Sequence, residues 1–105
     1  MKILILLLIS ILLHSNNISQ EDIKKWSQVN KILSEWKPSL KNKKLQATIK
    51  MNISKNGNMT YVFIKKSKNK IFNLELELFL EKKRKIKFPN FKKDKKLNVD
   101  FKNKG

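Results

Sequence analysis

The stretch ATIKMNISKNGNMTYVFIKKS, residues 47–67, decides the fold of this chain. Apolar and polar residues alternate in its first half, with Ala47, Ile49, Met51 and Ile53 on one side and Thr48, Lys50 and Asn52 on the other. Alternation with a period of two is typical of a strand that buries one face. Asn56-Gly57 and a second β-rich run, residues 59–65, follow. Because Asn-Gly suits a tight turn with positive φ, the stretch predicts a β-hairpin with a two-residue loop.

The predicted loop also sets the pairing of the two strands. It gives three facing pairs on the face expected to be buried: Ile53 with Thr60, Met51 with Val62, and Ile49 with Ile64. Tyr61 and Phe63 are then expected on the solvent face, across from Asn52 and Lys50. A slip of one residue would exchange the two faces, so this expectation depends on the turn type.

Charge is the most unusual property of the composition. The 105 residues include 25 Lys+Arg and 8 Asp+Glu, which gives a formal net charge of +17. This balance indicates either an acidic partner or the Lys-, Asn- and Ile-rich usage of an AT-rich genome. The second explanation is favoured because Arg84 is the only Arg, and phosphate and base recognition tend to use the bidentate Arg fork. The absence of Cys excludes disulfides and thiolate metal sites.

Residues 1–15 are predicted to be a signal peptide or a short N-terminal membrane anchor. Lys2 precedes an apolar run, residues 3–13, that only Ser10 interrupts. At about 1.5 Å per residue, a helix of this run is too short for the roughly 30 Å hydrocarbon core, and it fits the apolar part of a secretory signal. We therefore expect export from the cytoplasm and a folded domain over residues 19–105.

An amphipathic helix is predicted from Ser19, its expected cap, to Trp36. Its apolar stripe follows three- and four-residue steps through Ile23, Trp26, Val29 or Asn30, Leu33 and Trp36. Pro38 disfavours helical geometry in the residue before it, so the helix is expected to end near Trp36. The two Trp are interpreted as core residues in preference to a ligand-stacking pair.

The segment 71–81 is ambiguous, because Leu and Glu alternate in it as they would in a strand. Leu and Glu are nevertheless good helix formers, and the lysines of residues 82–85 suit the negative end of a helix. A helix is therefore predicted, with Asn73 as a cap and with Phe72, Leu76, Phe79 and Leu80 as its apolar stripe. Glu75, Glu77 and Glu81 are expected on its solvated face.

A third strand is predicted where Leu97, Val99 and Phe101 alternate with Asn98, Asp100 and Lys102. If the second helix returns along the sheet, this strand runs antiparallel to the first strand and pairs beside it. The expected fold class is α+β: a small three-stranded antiparallel sheet of order 2-1-3, two helices packed on one face, and the element order α-β-β-α-β.

Five short motifs, in this order, resemble the C-terminal domain of the TonB/TolA energy transducers. They are residues 32–38 with their Trp and Pro, residues 47–58 with their Gly turn, residues 64–69, Phe72-Asn73, and Phe88-Pro89. The similarity runs from about Trp26 to Phe101, and residues 64–69 lack the family's loop glycine. The family's long periplasmic linker is also missing between residues 1–15 and the first helix, so a short form of the family is expected.

The resemblance implies a periplasmic protein, or one anchored in the inner membrane and facing the periplasm. It implies envelope partners, either the TonB-box peptide of an outer-membrane receptor or Tol–Pal components. Binding would occur by strand addition at an open sheet edge. The open sheet has two such edges, residues 59–65 of the second strand and residues 97–102 of the third. The third strand is the predicted partner-binding site, with residues Leu97, Asn98, Val99, Asp100, Phe101 and Lys102.

Catalytic motifs are absent from the sequence. His14 is the only His and lies in the predicted export segment, so neither Ser54 nor Ser67 has a general base of that type. There is no P-loop and no dinucleotide fingerprint, and we expect no enzyme activity, no cofactor and no small-molecule substrate. The alternative function is a basic nucleic-acid or anionic-surface binder, with Tyr61 and Phe63 as an exposed stacking platform. Nucleic acid is the less favoured partner.

Overall fold

Five elements make up the part of the chain that the structure describes. The structure is a computed structural model, and it describes residues 20–40 and 44–103. In chain order the elements are helix α1 (Gln20–Leu33), strands β1 (Gln46–Ile53) and β2 (Met59–Lys65), helix α2 (Lys70–Arg84) and strand β3 (Lys95–Lys102). The predicted order α-β-β-α-β is confirmed. The export segment and Ser19 lie outside the described residues, among which no helix is long and apolar enough to span a membrane.

The sheet has the predicted order β2-β1-β3, and both pairs are antiparallel. The central strand β1 buries all four apolar residues of its alternating run: Ala47, Ile49, Met51 and Ile53. The helices add Trp26, Val29 and Leu33 from α1 and Phe72, Leu76 and Leu80 from α2 to the same core. Each such Val, Leu, Ile or Phe side chain stabilises the fold by about 1.5–3 kcal/mol relative to exposure.

The predicted pairing of β1 with β2 is wrong by one residue. Ile53 pairs with Met59 and Met51 with Tyr61, because the loop is longer than two residues. The Ser54 N–H bonds the Asn58 carbonyl oxygen and the Gly57 N–H bonds the Ser54 carbonyl oxygen, both at 2.9 Å. Only Gly57 has a positive φ, 82°, whereas a two-residue type I′ loop needs positive φ at both central positions. A three-residue loop, 55–57, therefore replaces the expected turn.

The shifted pairing exchanges the two faces of β2. Val62 and Ile64, expected in the core, are 59% and 53% exposed. Tyr61 and Phe63, expected in solvent, are half-buried and pack against the core. A β-bulge between Thr48 and Ile49 in the pairing with β2 adds a second irregularity that the sequence did not indicate.

Helix α2 begins at a different cap from the predicted one. The side-chain oxygen of Asn69 accepts a hydrogen bond from the Phe72 N–H at 3.0 Å, so Asn69 is the N-cap. Asn73 instead lies one turn inside the helix and bonds Ser67 through both its amide nitrogen and its oxygen. The Ser67–Asn73 bonds join the end of β2 to the first turn of α2.

Both Trp residues are core residues, as predicted. Trp26 and Trp36 are almost fully buried, and the Trp36 ring makes edge contacts with Phe72, Phe79 and Phe101. Helix α1 ends at Leu33, earlier than expected, and the Trp36 N–H bonds the Leu33 carbonyl oxygen at 3.2 Å. Trp36 thus reaches the core from the turn after α1 and lies close to β3.

Candidate strand-addition edge

Strand β3 presents the predicted division between its two faces. Leu97, Val99 and Phe101 are buried, Asn98 and Lys102 are exposed, and Asp100 is half-buried. These three buried side chains fix the strand to the core. The structure places all six predicted site residues where the sequence expected them; their contact with a partner stays a prediction.

The backbone of β3 offers hydrogen-bonding groups along its free side. The Asn103 N–H bonds the Leu45 carbonyl oxygen at 3.4 Å, which shows that the backbone of Asn103 faces β1. In an antiparallel ladder the backbone groups of successive residues point to opposite sides. The N–H and C=O groups of Asn98 and Asp100 therefore point away from β1, towards the open edge.

One end of this edge is closed by a side chain. The indole N–H of Trp36 donates to the carbonyl oxygen of Lys102 at 3.1 Å, and this oxygen belongs to the outward-facing set. Trp36 thereby satisfies the last outward acceptor of β3. A partner strand consequently has Lys96, Asn98 and Asp100 available, and the position of Trp36 limits how far it extends.

A second contact holds the outer face of β3 to β1. The Thr48 hydroxyl donates to a carboxylate oxygen of Asp100 at 2.6 Å, and the two residues are directly paired across the strands. Cross-strand pairs of this kind stabilise a sheet by roughly 0.2–1 kcal/mol. Asp100 therefore has a structural role in addition to its predicted role in specificity.

The buried side chain of Lys83 forms an ion pair between the two helical parts of the core. Lys83 on α2 is 8% exposed and pairs with the carboxylate of Glu35, just after α1. The hydrogen bond from Lys83 is the main cause that lowers the pKa of Glu35 below its ordinary value. This pair links α2 to the turn that carries Trp36, so it supports the closed end of the β3 edge.

The opposite edge of the sheet, β2, lies beside a polar network on α2. The Tyr61 hydroxyl donates to Glu81 at 2.6 Å, and Arg84 bonds the other oxygen of the same carboxylate at 2.9 Å. Burial, followed by the bond to Glu81, raises the pKa of Tyr61. The bond from Arg84, followed by that from Tyr61, lowers the pKa of Glu81.

Sequence reasoning missed two parts of this arrangement. The Trp36 bond to Lys102 spans 66 positions in the chain and carries no local pattern. The Tyr61–Glu81 bond was hidden by the wrong pairing of the hairpin, which assigned Tyr61 to solvent. Across residues 20–40 and 44–103 there is also no group of His, Cys, Asp or Glu that would hold a metal ion.

The described residues form an α-β-β-α-β domain whose open three-stranded sheet has β2 and β3 as its two edge strands. The sequence matches the family model described as TonB C terminal over residues 26–102. That match covers most of the 105 residues, and the chain belongs to the TonB C-terminal domain family. Domains of this family are periplasmic energy-transduction and protein-binding modules that contact other envelope proteins. Neither a curated protein nor a solved structure matches the chain.

Proposed function

We propose that this protein is an exported binding module that takes a strand of an envelope partner at the free edge of β3. The observation that carries the proposal is the outward direction of the N–H and C=O groups of Asn98 and Asp100. In strand addition the main-chain bonds supply affinity, and the alternate side chains supply specificity. Leu97, Val99 and Phe101 anchor the edge, while Asn98, Asp100 and Lys102 line its outer face.

The proposed partners are the TonB-box peptide of an outer-membrane receptor or Tol–Pal components. The family membership supports envelope partners of this type. The proposed location is the periplasm, with residues 1–15 serving as a signal peptide or as an anchor in the inner membrane. The apolar run of residues 3–13, which resembles the apolar part of a secretory signal, supports this location.

The nucleic-acid alternative loses its structural premise. It requires Tyr61 and Phe63 as exposed rings on which bases would stack. Both rings are half-buried against the core, and the Tyr61 hydroxyl is bonded to Glu81. What remains of the alternative is positive charge beside two rings that are half-covered by the core.

The test is site-specific photo-crosslinking in cells that make the protein. A photoreactive amino acid at Asn98 is expected to capture an envelope protein, and the added substitution Asp100→Pro should abolish capture by removing an outward N–H. The same photoreactive amino acid at Lys24, an exposed position of α1, serves as the control. Capture at Asn98 that does not exceed capture at Lys24 would refute the proposal.

A further inference from the structure

Helix α2 carries an apolar stripe on the side that points away from the core. Its members are Ile71, Leu74 and Leu78, which follow one another at steps of three and four residues and are 57%, 57% and 62% exposed. The residues that α2 buries in the core lie on the opposite side of the helix. A surface helix normally carries polar and charged residues on its outer side, so the packing of the fold does not account for this stripe.

Exposed lysines stand at both ends of the stripe. Lys70 is the first residue of α2, and Lys82 and Lys85 follow Leu78 after one and two helical turns. A long Lys side chain lays its methylene stem on apolar surface while its amine stays in a polar layer. The stripe and these three lysines make up the α2 outer face: Lys70, Ile71, Leu74, Leu78, Lys82 and Lys85.

A basic cleft adjoins the α2 outer face at the start of the helix. Its volume is about 480 Å³, and Leu74 forms part of its wall. Its charged lining residues are Lys66, Lys68, Lys70 and Glu77. Three amines against one carboxylate leave the cleft positively charged, which suits an anionic group such as a lipid phosphate.

Two of the three carboxylates of α2 are engaged with other parts of the protein. Glu81 accepts hydrogen bonds from the Tyr61 hydroxyl and from Arg84. Glu75 accepts a hydrogen bond from the Ser39 N–H, in the segment after α1. The whole chain has a net charge of +17, which repels a second copy of the chain and attracts an anionic surface.

We propose that the α2 outer face docks on the surface of an anionic lipid bilayer. The three alkyl side chains of the stripe would enter the interfacial layer, while the lysines and the basic cleft would meet lipid phosphates. The stripe holds alkyl groups alone, with no side chain that hydrogen-bonds, which favours lipid over an acidic protein. None of these residues belongs to β3, so the face is independent of the strand-addition site.

The short distance between the predicted export segment and the folded domain also favours a bilayer. Residues 16–19 separate that segment from α1. Four residues span at most about 14 Å, so a chain anchored through residues 1–15 keeps its domain beside the membrane. This support rests on the proposed anchor, whereas the stripe and its lysines do not depend on it.

The experiment places one environment-sensitive label in the full chain, which the absence of Cys allows. A nitrobenzoxadiazole label at Leu78→Cys reports on the α2 outer face, and the same label at Val62→Cys is the matched control. Val62 is similarly exposed, but it lies on the sheet face away from the helices, since its neighbour Tyr61 reaches Glu81. Vesicles of phosphatidylcholine mixed with phosphatidylglycerol are compared with vesicles of phosphatidylcholine alone.

The label at residue 78 is expected to shift its emission to the blue on the mixed vesicles, with little change at residue 62. On phosphatidylcholine alone, residues 1–15 should hold the chain while the label at residue 78 stays in water. In the chain labelled at residue 78, Lys82→Gln should lower the ratio of docked to undocked chains about fivefold. Lys50→Gln removes the same charge from the sheet face away from the helices and should change the ratio much less.

Four outcomes would overturn the membrane face. The first is an equal response of the labels at residues 78 and 62, including no response at either. The second is an equal shift at residue 78 on phosphatidylcholine alone, and the third is the same shift with soluble polyglutamate, which would assign the face to an acidic protein. The fourth is blue emission at residue 78 without vesicles, which would show that a second copy or another segment covers the stripe. Vesicle sedimentation of the chain tests the anchor separately.

Discussion

The Phe88 N–H donates a hydrogen bond to the Gly57 carbonyl oxygen at 2.9 Å, and the Phe88 carbonyl oxygen would collide with a Cβ on residue 57. The hairpin loop is therefore in backbone contact with the segment that follows α2. Gly57 also has a φ of 82°, which residues with a Cβ rarely adopt. This contact fixes the loop 55–57, and the loop in turn sets the pairing of β1 with β2.

Gly57→Ala should destabilise the fold strongly. The left-handed backbone alone costs a residue with a Cβ about 1–3 kcal/mol, and the approach of the Phe88 carbonyl adds to that cost. Urea unfolding followed by Trp fluorescence would measure the loss. Asn56→Ala is the control, because Asn56 is exposed and has no positive φ, and its effect should stay within about 0.5 kcal/mol. Equal effects of the two substitutions would contradict the described contact.

The pairing of the hairpin is tested by two truncations. Ile49→Ala should lower the free energy of unfolding by roughly 2–5 kcal/mol, because the Ile49 side chain is fully buried in the core. Val62→Ala should cost less than about 1 kcal/mol, because only strand propensity and partial contact are lost. Urea unfolding of the two variants measures these two losses of stability. A large loss of stability in Val62→Ala would contradict this pairing and support the two-residue loop predicted from the sequence.

Acid stability should depend on Glu81. Because Arg84 and then Tyr61 lower the pKa of Glu81 in the folded state, the unfolded chain takes up this proton first as the pH falls. The carboxylate's contribution is therefore complete above its usual pKa of 4.5 and is lost as the pH drops through the lowered value. Glu81→Gln should reduce stability more at about pH 6 than at about pH 3.

Urea unfolding at the two pH values measures this difference. Tyr61→Phe removes the bond from Tyr61 to Glu81 but keeps the bond from Arg84. Its effect on stability should therefore depend on pH in the same direction as that of Glu81→Gln, but less strongly. A Glu81→Gln effect that is equal at both pH values would contradict the account of this carboxylate.

Export is tested by fractionation. The apolar run of residues 3–13 should carry the folded domain out of the cytoplasm, so the protein is expected in the periplasmic or inner-membrane fraction. Replacing Leu7 and Leu8 by Arg should retain the chain in the cytosol, because charges break the apolar run. Full-length unchanged chain in the cytosolic fraction would remove the export proposal.

The elements of the fold could be predicted because each has a local pattern. The alternation of residues 47–53 identified the central strand. The stripe of Phe72, Leu76 and Leu80 favoured a helix over a strand for α2, and the structure has a helix there. The sheet order followed from the chain direction of these elements. Burial of Leu97, Val99 and Phe101 followed in the same way from alternation.

The pairing of the hairpin could not be predicted because a distant contact decides it. Asn56-Gly57 is compatible with a two-residue loop and with a three-residue loop, and the Phe88 contact with Gly57 favours the second. The same limit applies to the end of the β3 edge. Trp36 was correctly assigned to the core from its spacing, but its bond to Lys102 depends on the assembled tertiary structure.

Amide hydrogen exchange of the full chain, alone and with its captured envelope partner, tests the central claim most directly. The account predicts that partner binding slows exchange at the outward amides of Asn98 and Asp100. The Val99 amide, which already faces β1, should change much less. Protection that appears along Met59 to Lys65, with none added between Leu97 and Lys102, would contradict β3 as the partner-binding edge.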